Sequence, residues 1–174
     1  MNYFEIMGMP VSFQLDEDQL RKIYYENSKK FHPDFHTLSN TERQEESLEM
    51  STLNNLAYKT LSDFDKRFKY ILELTETITE GEKYELSPDF LMEMMDFNEE
   101  LMELQFDFDV SKYEKLRLKF NELELHINDS INNSILNIPV LQKGEESLIP
   151  LKDLYYKQKY LLRIKENLDK FAPL

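Results

Sequence analysis

Two histidines and an aspartate stand close together at His32-Pro33-Asp34 and His36. One chemistry open to them is metal binding. Alternation by two in a loop can bring His32, Asp34 and His36 to a single ion, the start of a small metal-dependent enzyme. Only three weak ligands are present, however, Pro33 restricts the loop, and no fourth ligand is evident. The other chemistry is recognition. Proline removes a backbone N–H and biases the residue before it away from the α region. A helix arriving from the N-terminal side must therefore end near His32. That leaves an imidazole and a carboxylate on a stiff, solvent-exposed corner.

The flanking elements set this corner in place. Residues 2–9 read as a short apolar turn of helix (Tyr3, Phe4, Ile6, Met7), ended by Gly8 and Pro10. A capping-box-like Asp16-x-x-Gln19 opens the next helix. Leu20, Ile23, Tyr24, Asn27 and Phe31 recur along it at helical spacing. Its other face carries Arg21, Lys22, Lys29 and Lys30, so residues 19–31 hold four bases against one acid, Glu26. A polar loop, 32–40, leads to a second long helix at about 41–62, with Leu48, Leu53, Leu56, Ala57, Tyr58 and Leu61 available for packing. Two helices joined by a short loop pack antiparallel, with His-Pro-Asp at the tip of their seam. A shorter helix, 65–74, closes the unit.

Residues 75–87, rich in Thr and Glu, read as a linker. Ser87 as N-cap and Pro88 at the first helical position then open a helix over 88–105. Phe90, Met94, Phe97, Leu101 and Leu104 form its core face. A second stripe beside it holds Leu91, Met92, Met95, Asp96, Glu99, Met102 and Glu103. A helix over 110–135 carries Tyr113, Leu116, Phe120, Leu123, Ile127 and Ile131, and His126 beside this stripe reads as a packed or surface histidine. After a loop at about 136–150, a last helix carries Leu151, Leu154, Leu161, Ile164 and Leu168. Three helices with short connections make an antiparallel three-helix bundle.

Composition narrows the partners. The 174 residues carry a formal net charge of −13 with a pI near 4.7, which disfavours nucleic acid, since phosphate binding needs a basic surface. The reversal of sign on the helix at 19–31 is informative against that background. With no cysteine there is no disulfide, thiolate zinc site, Cys-ligated iron–sulfur cluster or cysteine nucleophile in this chain. Neither a signal peptide nor a membrane span is evident, so the cytoplasm of a prokaryote is the expected location. No Gly-rich phosphate loop points to a nucleotide-binding enzyme.

Residues 1–74 resemble a J-domain. The likeness rests on the basic helix (Arg21, Lys22, Lys29, Lys30), the loop His32-Pro33-Asp34, and Asn55-Leu-Ala-Tyr-x-x-Leu-Ser-Asp63 followed by Asp65-Lys66-Arg67. Such domains drive ATP hydrolysis in DnaK-type chaperones, docking through the basic face and the His-Pro-Asp loop. The parts suit that role, since lysines steer and orient while a rigid corner acts as a conformational trigger. Phe35 departs from the basic residue that many J-domains carry after the aspartate.

With Tyr3-Phe4, Leu15-Asp16, Phe68-x-Tyr70-Ile-Leu and above all Phe90-Leu91-Met92-Glu93, the chain as a whole resembles the HscB family, J-type co-chaperones of iron–sulfur cluster assembly. Similarity is weak after residue 110. The resemblance implies an all-α, L-shaped protein: a J-domain (1–74, an antiparallel helical hairpin with short flanking helices), a linker (75–87) and a C-terminal three-helix bundle (88–174). It further implies two partners, a DnaK- or HscA-type chaperone and an IscU-type scaffold protein. No enzymatic activity, cofactor, metal, nucleic acid or membrane is expected. Carried over residue by residue, the scaffold surface falls on Leu91, Met92, Met95, Asp96, Glu99 and Glu103, with Tyr156 on the last helix. Residues 93–109 hold seven acids and no base, which suits a basic partner. Two readings compete: a J-protein serving another client, and Met92 and Met95 merely widening the core face or contacting the J-domain. Many eukaryotic family members carry an added cysteine-rich zinc module that is absent here.

Overall fold

A computed structural model describes residues 1–32, 41–136, 138 and 148–171, with the backbone alone at 41 and 42. Pro33, Asp34 and His36 lie outside the described residues, as does most of the loop at 136–150. The described chain is all-α: α1 (Tyr3–Ile6), α2 (Glu17–Lys30), α3 (Thr41–Leu61), α4 (Phe64–Leu74), α5 (Pro88–Phe106), α6 (Val110–Leu136) and α7 (Ile149–Asp169). They group into two compact units, α1 to α4 in the first and α5 to α7 in the second, dividing after Glu76. None of the described helices is long and apolar enough to cross a membrane.

Local signals explain where the helices of the first unit begin. Asn2 and Glu5 form a reciprocal capping box on α1, the Asn2 side chain accepting from the Glu5 N–H at 2.9 Å and Glu5 from the Asn2 N–H at 2.8 Å. Gly8, at φ +60, turns the chain out of it. Asp16 caps α2 by accepting from the Gln19 N–H at 3.0 Å, and Asp63 caps α4 through the Lys66 N–H at 3.0 Å. The apolar core gathers Phe4 and Met7 with Leu20, Ala57, Leu61, Phe68, Ile71 and Leu72, all buried.

The buried face of α3 differs from the one its leucines predict. Leu48 and Leu56 are 60% and 44% exposed, while Ser47, Asn54, Ala57 and Leu61 are buried. Those four recur at steps of seven, three and four, a helical face with two polar residues on it. Both polar groups bond α2. Ser47 donates to the Phe31 carbonyl at 2.9 Å, and the Asn54 amide donates to the Tyr24 carbonyl at 3.2 Å and to the Ser28 hydroxyl at 3.1 Å. This part of the hairpin is held by hydrogen bonds and by Tyr24 stacked on Tyr58 with ring centres 4.3 Å apart. At the other end of the seam, the buried Arg67 donates to the carbonyls of Phe13 (3.0 Å) and Leu61.

In the second unit the expected core stripes face inward: Phe90, Met94, Phe97, Leu101 and Leu104 from α5, Tyr113, Leu116, Phe120, Ile127 and Ile131 from α6, and Leu151, Leu161, Ile164 and Leu168 from α7. Leu123 and Leu154 are half-buried. Phe97 meets Phe120 edge-on with ring centres 6.0 Å apart, and Phe90 meets Tyr160 at 5.9 Å. Pro88 occupies the first turn of α5, though Ser87 makes no side-chain cap bond.

Candidate partner-binding sites

On the first unit, Arg21, Lys22, Lys29 and Lys30 are exposed along α2, on the side away from the buried Leu20. Placing Lys29 and Lys30 in the last turn complements the helix dipole as well as offering charge. Arg21 is engaged as well as exposed, since its hydrogen bond to Tyr58 raises its pKa. α2 ends at Phe31, whose N–H bonds the Asn27 carbonyl at 2.9 Å while its own carbonyl accepts from Ser47. Phe31, the residue immediately before His32, is thus held at both its N–H and its carbonyl, and His32 itself is exposed. Ser47 is a contributor that apolar periodicity does not reveal.

On the second unit, α5 presents two faces. Opposite the core stripe, Met92 and Met95 are 66% and 61% exposed, and Leu91 is 39% exposed. Asp96, Glu99 and Glu103 are exposed as well, Glu103 pairing with Lys112 at 3.6 Å. Met92 and Met95 therefore do not widen the core. Leu91 and Tyr156, far apart in sequence, line one shallow groove with Tyr84, Leu86, Pro88 and Tyr160.

The segment leading into α5 fixes Tyr156. The Tyr84 ring stacks on the Tyr156 ring with centres 4.6 Å apart and planes 10° from parallel. Glu82 accepts from the Tyr156 hydroxyl at 3.4 Å and from the Lys152 ammonium, and the Tyr84 hydroxyl donates to Asp153 at 3.1 Å. The Lys152 bond holds the Glu82 carboxyl below its ordinary pKa. Burial first, and then Glu82, pushes the Tyr156 phenol up. Tyr84, Glu82 and Lys152 are not among the site residues that the sequence suggests. The only sequence signal for them is a tyrosine between charges in an otherwise polar stretch.

Both units have known relatives. A family model for the DnaJ domain matches residues 2–70, and one for the HSCB C-terminal oligomerisation domain matches residues 86–169. The co-chaperone protein HscB homolog of Vibrio campbellii is 38% identical over 138 residues, covering 72% of this chain and 80% of that protein. The iron-sulfur cluster co-chaperone protein HscB of Mus musculus is 29% identical over 168 residues, covering 96% of this chain and 67% of that one. With some Vibrio relatives, the match spans only 60% of their own length. The crystal structure of human co-chaperone protein HscB superposes with a TM-score of 0.75 at 26% identity, over 100% of this chain and 84% of that one. Matched by a relative at this level across most of its length, and by family models over both units, the chain belongs to the HscB family of co-chaperones.

Proposed function

We propose that this protein couples an IscU-type iron–sulfur scaffold protein to a DnaK- or HscA-type chaperone. Residues 1–74 act as the J-domain, 75–87 as the connection and 88–174 as the scaffold-binding domain. The observation that carries the reading is α5, where Leu91, Met92 and Met95 stay exposed, edged by acids, on a helix whose opposite face fills the core. A bundle does not need that surface for stability, and Met adapts readily to the shape of a partner. Leu91, Met92, Met95 and Tyr156 supply apolar contact, while Asp96, Glu99 and Glu103 select a basic rim.

On the first unit, the bases of α2 orient the protein on an acidic surface of the chaperone. His32, Pro33 and Asp34 then bias the chaperone toward its hydrolysing state. The protein performs no covalent chemistry in this reading, because the ATPase belongs to the partner.

Single-turnover ATP hydrolysis by the cognate chaperone tests both halves. Stimulation is expected to need His32, to vanish in His32→Gln, and to rise further with scaffold. His32→Gln keeps full scaffold affinity, whereas Glu99→Lys with Glu103→Lys weakens scaffold binding and leaves scaffold-free stimulation intact. Stimulation indifferent to scaffold would point to a J-protein for another client. No stimulation by the folded protein would overturn the proposal.

A further inference from the structure

α5 exposes more apolar surface than the proposed scaffold site uses. Met102 is 55% exposed and Phe106, the last residue of the helix, is 88% exposed. At about 100° per residue, Leu91, Met95, Met102 and Phe106 fall within an arc of roughly 60°, turned away from the core stripe. At about 1.5 Å per residue the ridge runs for about 22 Å. Asp96, Glu99 and Glu103 line one edge of this ridge, and all three are exposed. Isolated exposed apolar residues are ordinary on protein surfaces, but four of them aligned along one helix face, two on either side of the polar Asn98 and Glu99, make a candidate contact surface.

We propose that the docking surface continues along α5 to Met102 and Phe106, and that the scaffold protein covers its whole length, with Phe106 as an aromatic anchor at the far end. This rests on the scaffold reading above and extends it. Charge argues for that occupant over a second copy of this chain. Residues 93–109 hold seven acids and no base. Glu100 and Glu103 pair with Lys119 and Lys112 of α6, but the exposed Asp96 and Glu99 beside the ridge would meet the same acids of a second copy docking through α5. A basic-rimmed partner meets the same edge with opposite sign. The ridge is long enough to form the centre of an interface of standard size, where buried aromatic residues carry much of the affinity.

Calorimetric titration of the full chain with an IscU-type scaffold tests the extension. Phe106→Ala is expected to lower affinity about tenfold and Met102→Ala about threefold, on the scale of an anchor and a peripheral contact. Both positions are solvent-exposed, so the variants are expected to keep wild-type helicity by circular dichroism. Leu91→Ala with Met95→Ala serves as the comparator. If the comparator loses affinity while Phe106→Ala and Met102→Ala retain it, the extension is wrong and the scaffold reading stands. If none of these variants changes affinity, the scaffold reading fails and the extension with it. Loss of self-association by Phe106→Ala in light scattering, at unchanged scaffold affinity, would assign the ridge to a second copy and overturn the proposal.

Discussion

Replacing Arg67 tests how the first unit holds its hairpin. This side chain is 6% exposed, and its guanidinium donates to the carbonyls of Phe13 and Leu61. Phe13 lies three residues before the cap of α2, and Leu61 is the last residue of α3. One group therefore ties the entry of one hairpin helix to the exit of the other, at the end of the seam remote from His32. Burial lowers the guanidinium's pKa, a sign that the charge is held against a desolvation penalty. Arg67→Met keeps the stem and orphans two carbonyls, at about 1–3 kcal/mol each. Relief of the cation's own desolvation offsets part of this, leaving a net loss of about 2–4 kcal/mol. With a urea dependence of about 2 kcal/mol per molar, the unfolding midpoint of this unit falls by about 1–2 M. Urea unfolding followed by circular dichroism, with hydrogen exchange by mass spectrometry to assign the transition to residues 1–76, measures the shift. Arg67→Lys is expected to recover only part of it, because one ammonium cannot fork to both carbonyls. A midpoint within about 0.3 M of wild type, on the same scale, would show that the carbonyls are satisfied without the guanidinium and that Arg67 does not tie the two helices.

Three further outcomes follow from contacts described above. Ser47→Ala removes the bond to the Phe31 carbonyl and is expected to destabilise the unit by about 1 kcal/mol. It also lowers maximal chaperone stimulation without changing scaffold affinity, and Ser47→Thr restores it; full stimulation in the alanine variant would show that the bond does not position His32. Lys22→Glu with Lys29→Glu is expected to slow chaperone association most at low salt, with the difference from wild type shrinking as screening increases. These positions are a cleaner test than Arg21, whose loss would also disturb Tyr58. Glu82 has a depressed pKa, so the tie it provides is fully formed above the ordinary carboxylate range and is lost as pH falls through the lower, folded value. Tyr84 and Tyr156 ring resonances followed by NMR are expected to lose their mutual shielding across that acid range in wild type, and to show no such step in Glu82→Gln.

Much of the fold is legible in the sequence because most of its signals are local. Asp16 and Pro88 mark helix starts by chemistry that acts within one turn, and the core stripe of α5 is a clean period. The outer stripe is equally legible, since Leu91, Met92 and Met95 remain apolar after the core stripe has been set aside. α3 is harder. It has leucines on several sides, and which side is buried depends on what α2 offers. α2 offers the Tyr24 carbonyl, the Ser28 hydroxyl and the Phe31 carbonyl, which select Asn54 and Ser47 over Leu48 and Leu56. Hydrogen-bond complementarity between two helices leaves no trace in the apolar pattern of either. Tyr84 against Tyr156 is a contact of the same kind, set by tertiary approach across 72 positions.

The two faces of α5 also bear on how such a protein changes over generations. Phe90, Met94, Phe97, Leu101 and Leu104 answer to packing, where the loss of a few methylenes is felt throughout the bundle. Leu91, Met92, Met95, Met102 and Phe106 stand in solvent, where substitution has little effect on folding. With the outer face docking a partner, as proposed, selection for stability and selection for that partner act on interleaved but separate letters of one helix. The outer letters are free to follow a changing partner while the inner ones stay fixed, so binding preference can drift without the bundle passing through an unstable ancestor.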